Sequence, residues 1–277
     1  MKLLPFVLTL TIGVAPFARA QAPAAPAKPG TAAAPAKPGA AAAPAAPVST
    51  PFPLPAQAPD VPAPKMDAKT GQPQAPFMAT HDKYVATAKE GKGQLLFLGD
   101  SITAGWAGGG KEVWAKSFGQ WTPVNFGIGG DRTQHVLWRI VNGELENIQP
   151  KATVIMIGTN NVGGDSAEAI AKGVTKIVET VHQRIPATKI LLLAVFPRGD
   201  KSNAGKLGDP WKKLQQVNEI IAKLADNKTV YYLDIGDKFI VDGAIPLDIM
   251  PDSLHPNGKG YQIWADAITP KLTELMK

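Results

Sequence analysis

Four short motifs carry side chains that can act together on a carbonyl group: "GDS" at residues 99–101, "NFGIGGD" at 125–131, "GTNN" at 158–161 and "DSLH" at 252–255. A serine hydroxyl is a poor nucleophile near neutral pH. It needs a base, usually histidine, and a group that fixes the histidine tautomer. The chain has four histidines. His81 stands at the edge of a proline-rich stretch, His135 lies in the apolar run "HVLWRI", and His182 falls late in a predicted helix, where a solvated or partly packed ring is the default. His255 alone has a carboxylate, Asp252, three residues earlier in a proline-flanked loop. A turn there can set Asp252 on one ring nitrogen and leave the other to face Ser101. D-x-x-H is a weak signal by itself, and Asp248 competes for the acid role.

Attack on a carbonyl also needs donors aimed at the oxyanion. Gly130 sits in a glycine-rich turn after a predicted strand, Asn160 carries a side-chain amide after the next, and Ser101 offers its own N–H. "GIGG" reads equally as a tight turn and "GTNN" as a helix cap. The serine lacks a G-x-S-x-G elbow, since position 103 is threonine, which argues against the nucleophile turn of the α/β-hydrolases. No third or fourth ligand accompanies Asp252 and His255 at a usable spacing, so neither a metal nor another cofactor is expected.

Something must bring these motifs to one place. Short apolar runs at 94–98, 123–126, 153–157, 189–196 and 229–233 read as strands, the last four rich in Val, Ile and Leu. Such runs suit strands covered on both faces. Between them, Ile170, Val174, Ile177, Val178, Val181 and Ile185 recur at helical spacing behind an Asp165/Glu168 capping pair and stop at Pro186. Residues 214–224 make a second apolar stripe and 261–275 a last one, with Pro270 a predicted kink. Alternating strands and helices imply a parallel sheet with helices on both faces. Ligands then gather at the carboxyl ends of the strands, where the motifs fall.

The order and content of the four motifs resemble the SGNH (GDSL) hydrolase family. Ser101, Gly130, Asn160 and His255 match the four letters of its name, and Asp252 completes the triad. Within it, "NFGIGGDRTQHVLWRIVNGELENIQPK", "GTNN", "FPRG" and "DGAI" resemble the catalytic subunits of platelet-activating-factor acetylhydrolase, over about residues 95–275. The resemblance implies an α/β fold, a three-layer α/β/α sandwich around a five-stranded, flavodoxin-like parallel sheet. It implies a serine esterase acting on short-acyl, chiefly acetyl, esters; the alcohol is a carbohydrate or a lipid, and a secreted protein on a long spacer fits a polysaccharide better. Ile102, Thr159 and Leu254 would line a small acyl pocket, and Ser101, Gly130 and Asn160 the oxyanion hole. Trp106, Trp114 and Arg198 are candidates for the leaving-group side, with core packing the alternative for both tryptophans. The resembled subunits form dimers, so a homodimer is an expectation from resemblance alone. The competing readings are a lipase or lysophospholipase acting on longer chains, and a non-catalytic binding module on the same fold.

The chain begins differently. Lys2, an apolar run to Phe17 and then Ala18-Arg19-Ala20 read as a secretory signal peptide cleaved after Ala20. The run is short and broken by Pro5, Gly13 and Pro16, which argues against a stable membrane anchor. Residues 21–78 are rich in Ala and Pro, with "AAPAKPG" at 24–30 and again at 33–39. Such a stretch is expected to stay extended as a linker, reaching about 3 Å per residue. The catalytic domain is then 79–277, one core of ordinary size, and the expected location is secreted or periplasmic. The chain has no cysteine and a formal charge of +6, two units of which belong to Lys2 and Arg19. The remaining lysines are scattered, so no nucleic-acid footprint is visible, and the expected partner is a small acyl-ester substrate.

Overall fold

The structure is a computed structural model, and it describes residue 54, residues 56–200 and residues 203–277. The predicted signal peptide and most of the predicted linker lie outside these residues.

Among the described residues seven α-helices and seven strands follow in order: α1 (Ala75–Lys89), β1 (Leu95–Gly99), α2 (Ser101–Ala104), α3 (Lys111–Phe118), β2 (Pro123–Gly127), α4 (Thr133–Arg139), β3 (Ala152–Met156), α5 (Ala167–Arg184), β4 (Lys189–Leu193), β5 (Gly199–Asp200), β6 (Asn203–Leu207), α6 (Asp209–Ile221), β7 (Val230–Leu233) and α7 (Gly258–Leu275). Five of the strands make one sheet in the order β2-β1-β3-β4-β7, and every pair in it is parallel. These are the five apolar runs of the sequence. Strands β5 and β6 add a small antiparallel hairpin.

Alternation along the strands divides the core. Leu96, Leu98, Phe126, Ile155, Ile190 and Leu192 face one side, against α4, α5 and α6. Leu95, Phe97, Val154, Met156, Leu191 and Leu193 face the other, against α3 and α7. Fully burying one such side chain is worth roughly 1.5–3 kcal/mol, and residues 95–98 are all buried. The result is a three-layer α/β/α sandwich.

Local details differ from the sequence reading. The cap of α5 is Ser166, whose hydroxyl accepts the Ala169 amide at 3.2 Å. Asp165 instead takes a hydrogen bond from Asn161 Nδ2 at 2.9 Å. Helix α7 continues through Pro270. The predicted linker also ends early. The Pro59 carbonyl accepts the Thr133 hydroxyl at 2.8 Å, and the Ala63 amide donates to the Gln134 carbonyl at 3.1 Å. Prolines lack amide donors but keep their carbonyls, and here those carbonyls find partners.

Candidate active site

Strand β1 ends at Gly99 because its neighbour comes too close for any other residue. A Cβ on Gly99 would stand 2.1 Å from Thr103 Oγ1 and 2.5 Å from the Met156 carbonyl. Its register partner in β2, Gly127, is as tight: a Cβ there would lie 2.3 Å from the Ala104 amide. This pair of glycines lets the short helix α2 settle on the strand ends. Asp100 caps it, its carboxylate accepting the Ile102 amide at 2.9 Å. Asp100 is buried, which pushes its pKa up to about 7 against the help of that hydrogen bond. The cap leaves Ser101 as the first helical residue, at the carboxyl edge of the sheet.

Ser101 Oγ lies 2.8 Å from His255 Nε2, and His255 Nδ1 lies 2.6 Å from Asp252 Oδ2. The other oxygen of Asp252 accepts the His255 amide at 2.7 Å and the Leu254 amide at 3.1 Å. Partial burial raises the Asp252 pKa, but the hydrogen bonds from the His255 ring and from the two amides outweigh it and hold the carboxyl below its ordinary value. Asp252 and not Asp248 meets the His255 ring; the Asp248 carboxylate pairs with Lys259 Nζ at 3.1 Å. The turn at 252–255 is pinned from beside. Ser253 adopts φ +60°, its carbonyl accepts the Gly199 amide at 2.8 Å, and its hydroxyl accepts the Gly205 amide at 2.7 Å. The β5–β6 hairpin thereby holds the Asp–His turn.

The other two motifs form the facing wall. Gly130 has φ +72°, a conformation open to glycine at little cost. No hydrogen bond among the described residues uses its amide or that of Ser101. The neighbouring Gly129 is close enough that an added Cβ would stand 4.0 Å from the Ser101 Cβ. Asn160 Nδ2 donates to the Asp131 carbonyl at 2.9 Å, which fixes the side chain against the same loop.

The expected acyl-pocket residues divide. Leu254 lines a groove of about 460 Å³ together with Arg198, Asp200, Asp252 and His255. Ile102 is only 1% exposed and packs in the core with Trp106 and Tyr261. Its side chain is turned inward by the start of α2. Thr159 is 1% exposed as well, and its carbonyl and hydroxyl accept Arg198 Nη1 at 2.7 and 3.2 Å. Arg198 thus ties two strand ends together. It also lines a second groove, of about 480 Å³, with Asn160 and Pro210. Trp106 and Trp114 belong to the aromatic core around Phe97 and Phe118, so their packing alternative holds.

Sequence reasoning missed a charged cluster behind the 129–131 loop. Arg139 is fully buried, donates to Asp131 Oδ2 at 2.9 Å, pairs with Glu144, and reaches the Phe126 carbonyl at 3.0 Å. Burial works against its charge, but Glu144 and Asp131 hold its pKa up. His81, from α1, meets Glu144 at 3.0 Å. His135 is neutral, with its pKa pushed down to about 3 by burial and by Lys65, Arg132 and Arg139. An arginine interrupting an apolar helical stripe was the available signal.

Residues 97–263 match the GDSL-like lipase/acylhydrolase family. The chain belongs to that family. Human platelet-activating factor acetylhydrolase IB subunit alpha1 is 37% identical over 217 residues, 78% of this chain and 89% of that one. The rat alpha2 subunit is 40% identical over 187 residues, 67% and 78% of the two chains. Among solved structures, a GDSL-like lipase from Bacteroides thetaiotaomicron superposes with a TM-score of 0.58 at 21% identity, covering 71% of this chain and 98% of that one. A carbohydrate acetylesterase from Sinorhizobium meliloti gives 0.52 at 20%, covering 65% and 98%. Both share the fold. Membership of the family makes this chain a carboxylic ester hydrolase.

Proposed function

We propose that the protein is a serine esterase that removes short acyl groups, chiefly acetyl, from carbohydrate or lipid alcohols through an acyl-enzyme. The observation that carries this reading is the continuous chain from Ser101 Oγ through the His255 ring to Asp252. Ser101 Oγ attacks the ester carbonyl while His255 Nε2 takes its proton. Asp252 holds the ring in the tautomer with a proton on Nδ1 and stabilises the imidazolium that forms. The amides of Ser101 and Gly130 and the side chain of Asn160 receive the oxyanion. Collapse breaks the carbonyl carbon–alkoxy oxygen bond, and His255 returns the proton to the leaving alcohol. Water then repeats the sequence on the acyl-enzyme and frees the acid and Ser101.

The preference for a short acyl group is supported chiefly by the relatives, which are named acetylhydrolases and a carbohydrate acetylesterase. The grooves beside the triad set Arg198, Asp200 and Asp252 among Val162, Pro210 and Leu254, and an alkyl chain laid over the charged groups would cost them water. We propose a secreted or periplasmic location, supported by the signal-peptide pattern in the sequence of residues 1–20.

The test is a nitrophenyl ester series from acetate to palmitate on the wild-type protein, with Ser101→Ala in parallel. Hydrolysis of the acetate, falling with chain length and lost in Ser101→Ala, is expected. A maximum at octanoate or beyond would replace the acetyl reading with a lipase one. Undiminished activity in Ser101→Ala would remove Ser101 as nucleophile.

A further inference from the structure

The segment before α1 reaches the active site. Residues 57–66 run beside the loop that carries Gly130, held by the Thr133 and Gln134 hydrogen bonds described above and by His135 Nε2 with Gln57 Oε1 at 3.2 Å. At its end stands Lys65. Its carbonyl accepts the Gln74 amide at 2.8 Å, and its ammonium lies 5.6 Å from the centre of the Phe77 ring. That ammonium donates to the Gly129 carbonyl at 2.6 Å and stands 2.9 Å from Asp131 Oδ1. Its side chain is 14% exposed, and that of Asp131 is wholly buried. Asp131 Oδ1 has no hydrogen-bond partner among the described residues, and its ion-pair contacts are Lys65 Nζ and, at 4.0 Å, His135 Nδ1. The same segment walls a groove of about 400 Å³ with Gly130, Arg132 and His135.

The Gly129 carbonyl and the Gly130 N–H are two ends of one planar peptide. A cation on the carbonyl therefore fixes where the N–H points. It also polarises the amide and makes it a stronger donor, as hydrogen bonds in series do. Charge acts in the same direction. Two carboxylates, Asp131 and Glu144, are balanced by Arg139 and Lys65. Without Lys65, an uncompensated buried negative charge would sit behind the place where the oxyanion forms. Lys65 precedes residues 97–263, which match the family model, and falls within the longer stretch matched by the alpha1 subunit, 78% of this chain.

We propose that Lys65 is a positioning residue for the oxyanion hole, acting through the Gly129–Gly130 peptide, so that the segment before α1 completes the active site. The inference rests on the acyl-enzyme reading above.

The chain has no cysteine, so Lys65→Cys introduces a single thiol. On the full chain with nitrophenyl acetate, kcat is expected to fall about tenfold or more, in line with a weakened oxyanion donor. KM should stay within about twofold, since the interaction is made in the transition state. Alkylation with 2-bromoethylamine, in which the thiolate displaces bromide and forms a C–S bond, restores an ammonium at nearly the original reach and should recover most of kcat. Iodoacetamide, which leaves a neutral group of similar size, should recover none. Unchanged kcat in Lys65→Cys, or equal recovery with both reagents, would overturn the inference. If that variant does not fold, Lys65→Met keeps the length of the side chain but removes both the donor to the Gly129 carbonyl and the charge, and full kcat in it would overturn the inference equally. A wild type inactive on every ester would take down the acyl-enzyme reading and this inference together. An active wild type with an unaffected variant removes this inference alone.

Discussion

Asp252 holds the His255 ring at 2.6 Å although its own side chain is 55% exposed. Water screens the attraction between such a carboxylate and an imidazolium. The role left to Asp252 is geometric: its second oxygen is anchored by two amides of the same turn, and the first selects the ring tautomer. Asp252→Asn keeps the shape but presents an amide that suits the wrong tautomer. We expect kcat on nitrophenyl acetate to fall at least about a hundredfold, less than the roughly 10⁴-fold seen where the triad carboxylate is buried. Steady-state kinetics at constant pH measures it, and a loss below tenfold would assign the orientation of His255 to another group.

Gly127 bears on the nucleophile without touching it. A methyl group there meets the Ala104 backbone at 2.3 Å, and backbone yields less easily than a side chain. Gly127→Ala should destabilise the fold by about 1–3 kcal/mol, the usual range for overpacking. It should also reduce kcat in the protein that remains folded, because α2 carries Ser101. Urea unfolding and kinetics below the transition separate the two effects. Full kcat with lowered stability would show that α2 shifts without moving Ser101.

Asn160 has two tasks, since its amide is held by the Asp131 carbonyl at 2.9 Å while it is assigned to the oxyanion. Asn160→Ala should cost about 3 kcal/mol of transition-state stabilisation, typical of one oxyanion donor, with little change in KM. Asn160→Asp keeps the volume but puts a negative charge at the same place and should be at least as inactive. Retention of more than a tenth of kcat in the alanine variant would make Asn160 chiefly a brace for the 129–131 loop.

Much of this site was legible because parallel strands buried on both faces must be apolar runs, and each chemical motif follows such a run or lies in a late loop. Spacing offered Asp252 as a partner for His255 but left Asp248 open, and only the folded turn decides, with Asp252 on the ring and Asp248 on Lys259. The β5–β6 hairpin was not legible: "GDKSNAGKL" has no apolar alternation, and its hold on Ser253 is made by backbone groups. Ile102 was misplaced because adjacency in sequence to a nucleophile says nothing of direction at the first turn of a helix. The Lys65–Asp131–Arg139–Glu144 cluster joins a segment that reads as linker to the middle of the domain, and no local pattern encodes that pairing.

Two buried groups oppose each other as pH changes. Asp100 has a folded pKa of about 7 against 3.8 as a free side chain, because burial disfavours its charge. The folded state then binds the proton more tightly than the unfolded state between pH 3.8 and 7, so Asp100 contributes stability at low pH that is lost as pH rises through this window, up to about 4 kcal/mol at 1.4 kcal/mol per unit. His135 runs the other way. Its folded pKa of about 3 lies below the ordinary 6.5, so the unfolded state takes up the proton first and stability is lost as pH falls from 6.5 towards 3. Between pH 4 and 6.5 the two slopes nearly cancel. Asp100→Asn keeps an acceptor for the Ile102 amide and removes one slope. Its stability relative to wild type should therefore increase from pH 4.5 to pH 8, and its own curve should climb steeply to pH 6.5. Urea unfolding across that range measures the difference. A difference independent of pH would mean that the Asp100 carboxyl ionises in the folded protein as readily as in the unfolded chain.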